Sequence, residues 1–125
     1  MVKNLISIVV VGILIAVGTI YEHHVINKNF TNFSVTIESL YDKTESGIAT
    51  KADGISAQKS WEEKKKILHA FIPHTEIKEI DLWLSETISL LEYQKTEDVL
   101  SKLDVLRELI KEIPKNFILN FSNVF

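Results

Sequence analysis

The sequence contains no cysteine. Disulfide bridges, thiolate nucleophiles and cysteine-based zinc or iron–sulfur sites are therefore excluded. Four glycines and two prolines occur in 125 residues, which is too few for a long disordered linker. A chain of this length holds one domain at most, and that domain has to be held together by packing alone.

Arginine is also scarce, with a single residue beside thirteen lysines, and the net charge is -3. Because no strongly basic or arginine-rich stretch exists, we expect no nucleic-acid partner. The adjacent residues His23 and His24 would point about 100° apart on a helix, and His69 and His74 are separated by a proline. Neither spacing indicates a metal site. No catalytic triad order, phosphate-binding loop or acid dyad stands out, so we expect no enzyme and no cofactor.

One long hydrophobic run is present, from Leu5 to Tyr21, without a charged residue. Seventeen residues of helix span about 25 Å, close to the hydrocarbon thickness of a bilayer, and predict a transmembrane anchor. A cleaved signal peptide is the alternative, because Ala16-Val17-Gly18 has the small-x-small pattern of a cleavage site. The weakly charged N-terminus favours the retained anchor.

The charges that flank this run predict its orientation. Lys3 precedes it and Glu22 follows it, which favours a cytoplasmic N-terminus and a domain outside the cell membrane. We therefore divide the chain into a membrane anchor, residues 1–24, and an extracytoplasmic helical bundle domain, residues 25–125.

An apolar stripe at steps of four and three follows the membrane segment, the heptad-like spacing of a coiled coil. It predicts one helix that leaves the membrane and ends near Gly47, followed by a loop over residues 50–54. A strand over residues 33–37 is the alternative, since β-branched residues alternate there. The candidate helix-pairing face consists of Ile26, Phe30, Phe33, Ile37 and Leu40, continued by Thr44, Ile48 and Ile55.

The rest of the chain predicts three more helices. The second starts near Ile55 and breaks at Pro73, and the third opens with Thr75 as its N-cap. The expected core of the second helix is Ala57, Trp61, Leu68, Phe71 and Ile72. The expected core of the third is Ile77, Ile80, Leu84, Ile88 and Leu91, widened by Trp83 and Leu90.

Thr96 is expected to cap the fourth helix, and Pro114 to end or kink it. Because residues 93–95 form a short connection, helices three and four should make an antiparallel hairpin. Its core is expected to be Val99, Leu103, Leu106, Ile110 and Ile113. The apolar tail, with Phe117, Leu119, Phe121 and Val124, is expected to pack on the bundle or on the membrane surface. The fold class is thus all-α, an N-terminal transmembrane helix continuing into a small antiparallel bundle of three to four helices.

Four residues are candidates for a ligand or partner contact. His74 and Glu76 place an imidazole near a carboxylate at a helix start, and Trp61 and Trp83 could line a groove. The structural alternatives are a helix cap for the first pair and core packing for the two tryptophans.

The chain resembles the Domain of Unknown Function 4363 family, small bacterial proteins found largely in clostridia. The short N-terminal anchor, Trp61, the lysines of residues 64–66, the segment 71–77 and the Asn123-Val124-Phe125 ending carry the resemblance. It implies membrane anchorage and a helical fold, and no catalytic residue.

Two functions remain open at this point. The first is a non-catalytic interaction or accessory module at the cell envelope, binding another membrane or envelope protein or a second copy of itself. The second is an extracytoplasmic domain that binds or senses a small ligand between its helices.

Overall fold

The computed structural model describes the backbone of residues 2–124 and the side chains of residues 2–116. Within this part of the chain there are four helices and no strand, so the all-α class is confirmed and the strand over residues 33–37 is wrong. The helices are α1 (Val2–Glu45), α2 (Lys51–Leu68), α3 (His74–Glu92) and α4 (Thr96–Val124). Each packs on two neighbours, α1 and α3 both lying against α2 and α4, which makes an antiparallel four-helix bundle.

Helix α1 has 44 residues without a break, about 66 Å of helix. Its first half contributes nothing to the core, and the first buried side chain is Ile26. From there to Thr44 one face is buried at steps of three and four. By length and composition, α1 is the one helix among the described residues that could cross a membrane.

The end of α1 is set by Gly47, whose φ is +77°. The amide of Gly47 donates to the Thr44 carbonyl and that of Ile48 to the Lys43 carbonyl, both at 3.0 Å. This is a Schellman motif, in which the left-handed residue that ends the helix is most often glycine. Because the chain changes direction here, the apolar stripe does not continue. The prediction that Ile48 and Ile55 extend it is wrong, since they are 66% and 36% exposed.

Helix α2 begins earlier than expected. Thr50 is its N-cap, and Thr50 and Asp53 form a reciprocal capping box. The predicted loop over residues 50–54 is therefore wrong. Gly54 lies inside the helix and is buried. A Cβ at this position would come within 2.9 Å of the Leu91 side chain on α3, so α2 and α3 approach too closely here for a larger residue. The glycine allows close approach of two helices, where the sequence suggested a helix end.

Pro73 separates α2 from α3, as predicted, and α3 begins at His74. The prediction of Thr75 as N-cap is wrong. Pro73 occupies that position with an extended backbone (ψ 145°), and no side chain caps the helix. Its carbonyl accepts the amides of Glu76 and Ile77, so the backbone itself opens the helix. Glu76 lies in the first turn, as expected, where its charge complements the helix dipole.

The connection at residues 93–95 is as short as predicted. The prediction of Thr96 as N-cap is wrong, because Thr96 is already the first residue of α4 and the Lys95 carbonyl before it accepts the amide of Val99 at 3.0 Å. Pro114 does not end this helix, whose backbone stays helical to Val124. Instead, Pro114 is buried and borders α1 near Phe30. The expectation that Phe117, Leu119, Phe121 and Val124 pack on the bundle or the membrane falls outside the described side chains.

The core follows the predicted stripes closely. The buried apolar side chains are Ile26, Phe30, Phe33, Ile37, Leu40, Ala57, Trp61, Leu68, Ile72, Ile77, Ile80, Leu84, Leu91, Val99, Leu103, Leu106, Ile110 and Ile113. Phe71, Trp83, Ile88 and Leu90 are only partly buried against this core. Thr87, which was not predicted, is fully buried and donates to the Trp83 carbonyl at 2.8 Å.

Candidate functional site

Trp61 lies at the centre of the bundle with no exposed surface. Its ring centroid is 4.9 Å from that of Phe33 and 6.3 Å from that of Phe30, both on α1. Its indole Nε1–H donates to Asp81 Oδ1 on α3 at 2.6 Å. The side chain therefore joins three helices through stacking and one charge-assisted hydrogen bond. A ligand could reach it only by displacing packed core side chains.

Asp81 is the point where this core contact meets the surface. Lys65 on α2 lies 3.3 Å from Asp81 Oδ2 and 3.1 Å from Glu62 Oε2. Partial burial opposes the charge on Lys65, but the hydrogen bonds that its ammonium donates to Glu62 and Asp81 outweigh this effect and raise the pKa of the lysine above its ordinary value. Lys65 is thus held as a cation between two carboxylates, and its pair with Asp81 joins α2 to α3.

His74 lies elsewhere, exposed at the first position of α3, directly after the turn that follows α2. Its ring stacks on that of His69, with centroids 5.6 Å apart. The turn at Pro73 brings these rings together, although their separation in sequence fits no single helix face. Glu76 is partly buried in the first turn of α3. Among the described residues, no group of three or more histidines or carboxylates could hold a metal ion.

Trp83 occupies a third environment, on the outer side of the α3–α4 hairpin. Its Nε1–H donates to Glu79 at 3.1 Å, and the ammonium of Lys102 lies 4.7 Å from its ring centroid. Lys102 is also 3.2 Å from Glu86. The four candidate residues therefore divide among the core, the exposed turn and the outer surface.

The candidate helix-pairing face does pair helices, but within one chain. Its five residues are between 0% and 3% exposed and form the α1 side of the core. A second chain could reach them only if the bundle opened. Coiled-coil spacing was the correct signal for helix contact, but it did not indicate which helices were the partners. The face consists of Ile26, Phe30, Phe33, Ile37 and Leu40.

Two open grooves, each of about 480 Å³, run along α1. The groove against α4 contains Arg107, which donates from Nε to Glu38 at 2.7 Å and lies over the Tyr41 ring at 4.3 Å. The groove against α2 is lined by four serine and threonine side chains, three apolar ones, and the pair of Lys43 and Asp53 at 3.0 Å. None of the four candidate residues lines either groove. Sequence reasoning missed the Arg107 cluster, because Glu38 is 69 positions away.

The end of the bundle farthest from Val2 carries exposed apolar side chains. The two turns there meet around a pocket of about 190 Å³ bordered by Gly47, Ala49 and Gln94. Ile48 on one turn is 66% exposed, and Tyr93 on the other is 69% exposed. We call these two turns, residues 46–50 and 93–95, the distal turns.

A family model described as "Domain of unknown function (DUF4363)" matches residues 19–124, which are the bundle and the last turn of the apolar run. No curated protein and no solved structure matches the chain significantly. The match covers most of the chain. The chain is therefore a member of the DUF4363 family.

Proposed function

We propose that this chain is a single-pass membrane protein whose helical bundle is a non-catalytic interaction or accessory module at the cell envelope. The observation that supports this most is the division of α1. Its first half is apolar on all faces and exposed, and its second half is part of the bundle core. An anchor apolar on every face fits hydrocarbon, and a bundle rigidly continued from it stays next to the membrane.

The polar features of the bundle support a structural role. Asp81, Glu38 and Asp53 each neutralise a cation from a neighbouring helix, so these charges serve to join helices. The described buried side-chain polar atoms all have hydrogen-bond partners. A bundle whose polar groups are engaged in its own packing suits recognition by its surface better than chemistry in a cleft.

The distal turns are the surface that we assign to the partner, which we expect to be another membrane or envelope protein. Ile48 and Tyr93 expose apolar area at the end of the bundle that reaches farthest from the proposed membrane. Exposed aromatic and aliphatic side chains beside a shallow pocket are typical anchors of protein interfaces. A second copy of this chain is the competing occupant, and it would co-purify as this chain itself with no different protein bound.

The test is co-purification after mild detergent extraction, with Ile48 and Tyr93 both changed to Ser. We expect loss of the associated protein, with unchanged helicity by circular dichroism. The matched control changes Ile67 and Leu82 to Ser, which are 49% and 55% exposed elsewhere on the bundle. Substituting Phe30 or Phe33 would be uninformative because both are core residues. If both double variants retain the partner equally, the distal turns are not the contact.

The side of the membrane on which the bundle lies is measured by thiol labelling. Because the chain has no cysteine, Lys59→Cys gives a single exposed thiol on α2. A membrane-impermeant thiol reagent should label this variant on intact cells. Labelling only after lysis would place the bundle in the cytoplasm.

A further inference from the structure

The contacts around Trp61 define one level across the bundle. Its ring lies against Phe33 of α1, and its indole nitrogen bonds to Asp81 of α3. Pro114 of α4 borders the same groove as Phe30 of α1. Since successive helices are antiparallel, all residues on the Tyr21 side of this level lie at one end. We call this end the base of the bundle, residues 22–31, 63–80 and 111–116.

Charge is distributed unevenly along the bundle. The base contains seven lysines and five glutamates, and all four histidines of the chain. The remainder of the bundle, residues 32–62 and 81–110, contains six cations and twelve carboxylates. The base is thus net positive by two and the remainder net negative by six, in a chain whose overall charge is -3. The bundle is an electric dipole whose positive end faces the apolar half of α1.

The lysines of the base are also arranged differently from the other cations. Away from the base, four of the six cations form ion pairs that join two helices: Lys43, Lys51, Lys102 and Arg107. Among the described side chains, Lys65 is the one base lysine within ion-pair distance of a carboxylate. Five others are exposed to solvent: Lys28, Lys66, Lys78, Lys111 and Lys115.

The base lies close to where the membrane would begin. The apolar run ends at Tyr21, and the first core residue of α1 is Ile26. The first base lysine on α1, Lys28, follows Tyr21 by seven residues of continuous helix, about 10 Å, which is comparable with one Debye length at physiological salt. An anionic membrane surface attracts basic side chains over this range. No linker is present that would let the bundle move away, since α1 is unbroken from Val2 to Glu45.

We propose that the base of the bundle binds the headgroups of anionic phospholipids through its exposed lysines. This inference rests on the membrane anchorage proposed above. The acidic remainder of the bundle is repelled by the same surface, so both ends of the dipole favour a bundle that stands on its base. The distal turns are then presented away from the membrane.

The test uses the full chain in vesicles containing equal amounts of phosphatidylglycerol and phosphatidylcholine. Ala70→Cys places a donor dye on the exposed turn between α2 and α3, and an acceptor dye is attached to the acyl chains of one lipid or the other. Energy transfer from position 70 to labelled phosphatidylglycerol should exceed that to labelled phosphatidylcholine by about twofold at low salt. The ratio should approach unity at high salt. A donor at Ser101→Cys, in the remainder of the bundle, should show no preference.

Matched charge variants locate the effect. Changing Lys28, Lys66 and Lys115 to Gln should abolish the preference, and changing Lys51, Lys59 and Lys95 to Gln should preserve it. Equal losses in the two triple variants would overturn the assignment to the base. Equal transfer to both lipids, in protein that still floats with vesicles, would overturn headgroup binding and leave the anchor intact. Protein that remained in the aqueous phase would overturn both proposals.

Discussion

The two halves of α1 share one backbone and differ in what surrounds their side chains. In the anchor half, residues 2–21, apolar side chains on every face are exposed, such as Leu5 at 64% and Ile20 at 69%. In the bundle half, residues 26–45, only one face is apolar, and Phe33 and Ile37 on it have no exposed surface. The apolar face of the bundle half is covered by other helices of the same chain. The anchor half leaves more continuous apolar surface than proteins normally expose to water.

The width of the apolar surface of a helix, and not its hydrophobicity alone, indicates what surrounds that helix. A stripe at steps of three and four requires partners on one side, and other helices of the chain provide them. An apolar surface on all sides suits an apolar solvent, and none of the described side chains packs against it. The same substitution should therefore have different effects in the two halves.

The largest difference is expected for inserted charge. Val9→Arg combined with Ile13→Arg places two cations one turn apart near the centre of the anchor half. At about 3 kcal/mol for each charge, insertion should become less favourable by about 6 kcal/mol. The measurement is the fraction of protein that stays with membranes after alkaline carbonate extraction, and we expect most of it to be lost.

The matched control is Val35→Arg with Ser39→Arg, two exposed positions with the same spacing in the bundle half. It should remain with the membranes and keep its helicity. Full retention of the anchor variant would show that α1 is not held by hydrocarbon.

The next largest effect is expected in the bundle core. Phe33→Ala removes a side chain with no exposed surface that stacks on Trp61. Lost burial and the resulting cavity should destabilise the bundle by about 3–5 kcal/mol. The measurement is urea unfolding of the full chain in micelles, followed by tryptophan fluorescence, since both tryptophans lie in the bundle. Val35→Ala, two residues away and 66% exposed, should change the free energy of unfolding by less than about 0.5 kcal/mol. Similar effects of the two substitutions would contradict the one-sided burial of this half.

Most of the fold could be predicted because its signals are local. The apolar stripes of α1, α3 and α4 predicted these helices and most of their core, and the short connection at residues 93–95 predicted the pairing of α3 with α4. The start of α2 could not be predicted in this way. Gly54 looks like a helix breaker in sequence, and only its contact with Leu91 explains why a residue without a side chain is needed inside the helix.

The surroundings of the four candidate residues were less predictable, because they depend on contacts with elements that are distant in the sequence. Trp61 and Trp83 both lie near apolar stripes, yet one is the centre of the core and the other is only partly buried at its edge. Which of them is covered depends on α1, whose contact with α2 has no signal in either helix alone. The stacking of His69 on His74 likewise depends on the geometry of the turn at Pro73.

A smaller effect is expected at the junction of α1 and α2, where Asp53 of α2 pairs with Lys43 of α1 at 3.0 Å. A hydrogen bond from the Thr50 amide and then the charge of Lys43 hold the pKa of Asp53 below its ordinary value. Asp53→Asn should cost about 1 kcal/mol of stability at neutral pH, the typical value of a helix cap. Because the folded pKa is the lower one, this contribution exists above the unfolded pKa and is lost as pH falls through the folded value.

The measurement is urea unfolding of both proteins at neutral pH and at about pH 3. The gap between wild type and Asp53→Asn should be present at neutral pH and shrink in acid. Asp42→Asn, which removes an exposed carboxylate from α1 nearby, should leave the unfolding midpoint nearly unchanged. A gap for Asp53→Asn that was constant over this range would show that its carboxylate charge does not stabilise the junction.

The smallest expected effect has the opposite sign and compares the two distal turns. Both end a helix with a Schellman pattern, but one has Gly47 at the left-handed position and the other has Gln94, with φ of +77° and +54°. The amides of Gln94 and Lys95 donate to Leu91 and Leu90 at 3.2 Å, so the second turn has the same hydrogen bonds at a higher conformational cost. Gln94→Gly should therefore stabilise the bundle by about 0.5–1 kcal/mol, the relief of strain exceeding the added freedom of the unfolded chain. Gly47→Ala should destabilise it by about 1 kcal/mol, because alanine meets the cost that glycine avoids. Urea midpoints that moved in the same direction would show that the two turns are not equivalent, and that side-chain contacts of Gln94 compensate for its backbone.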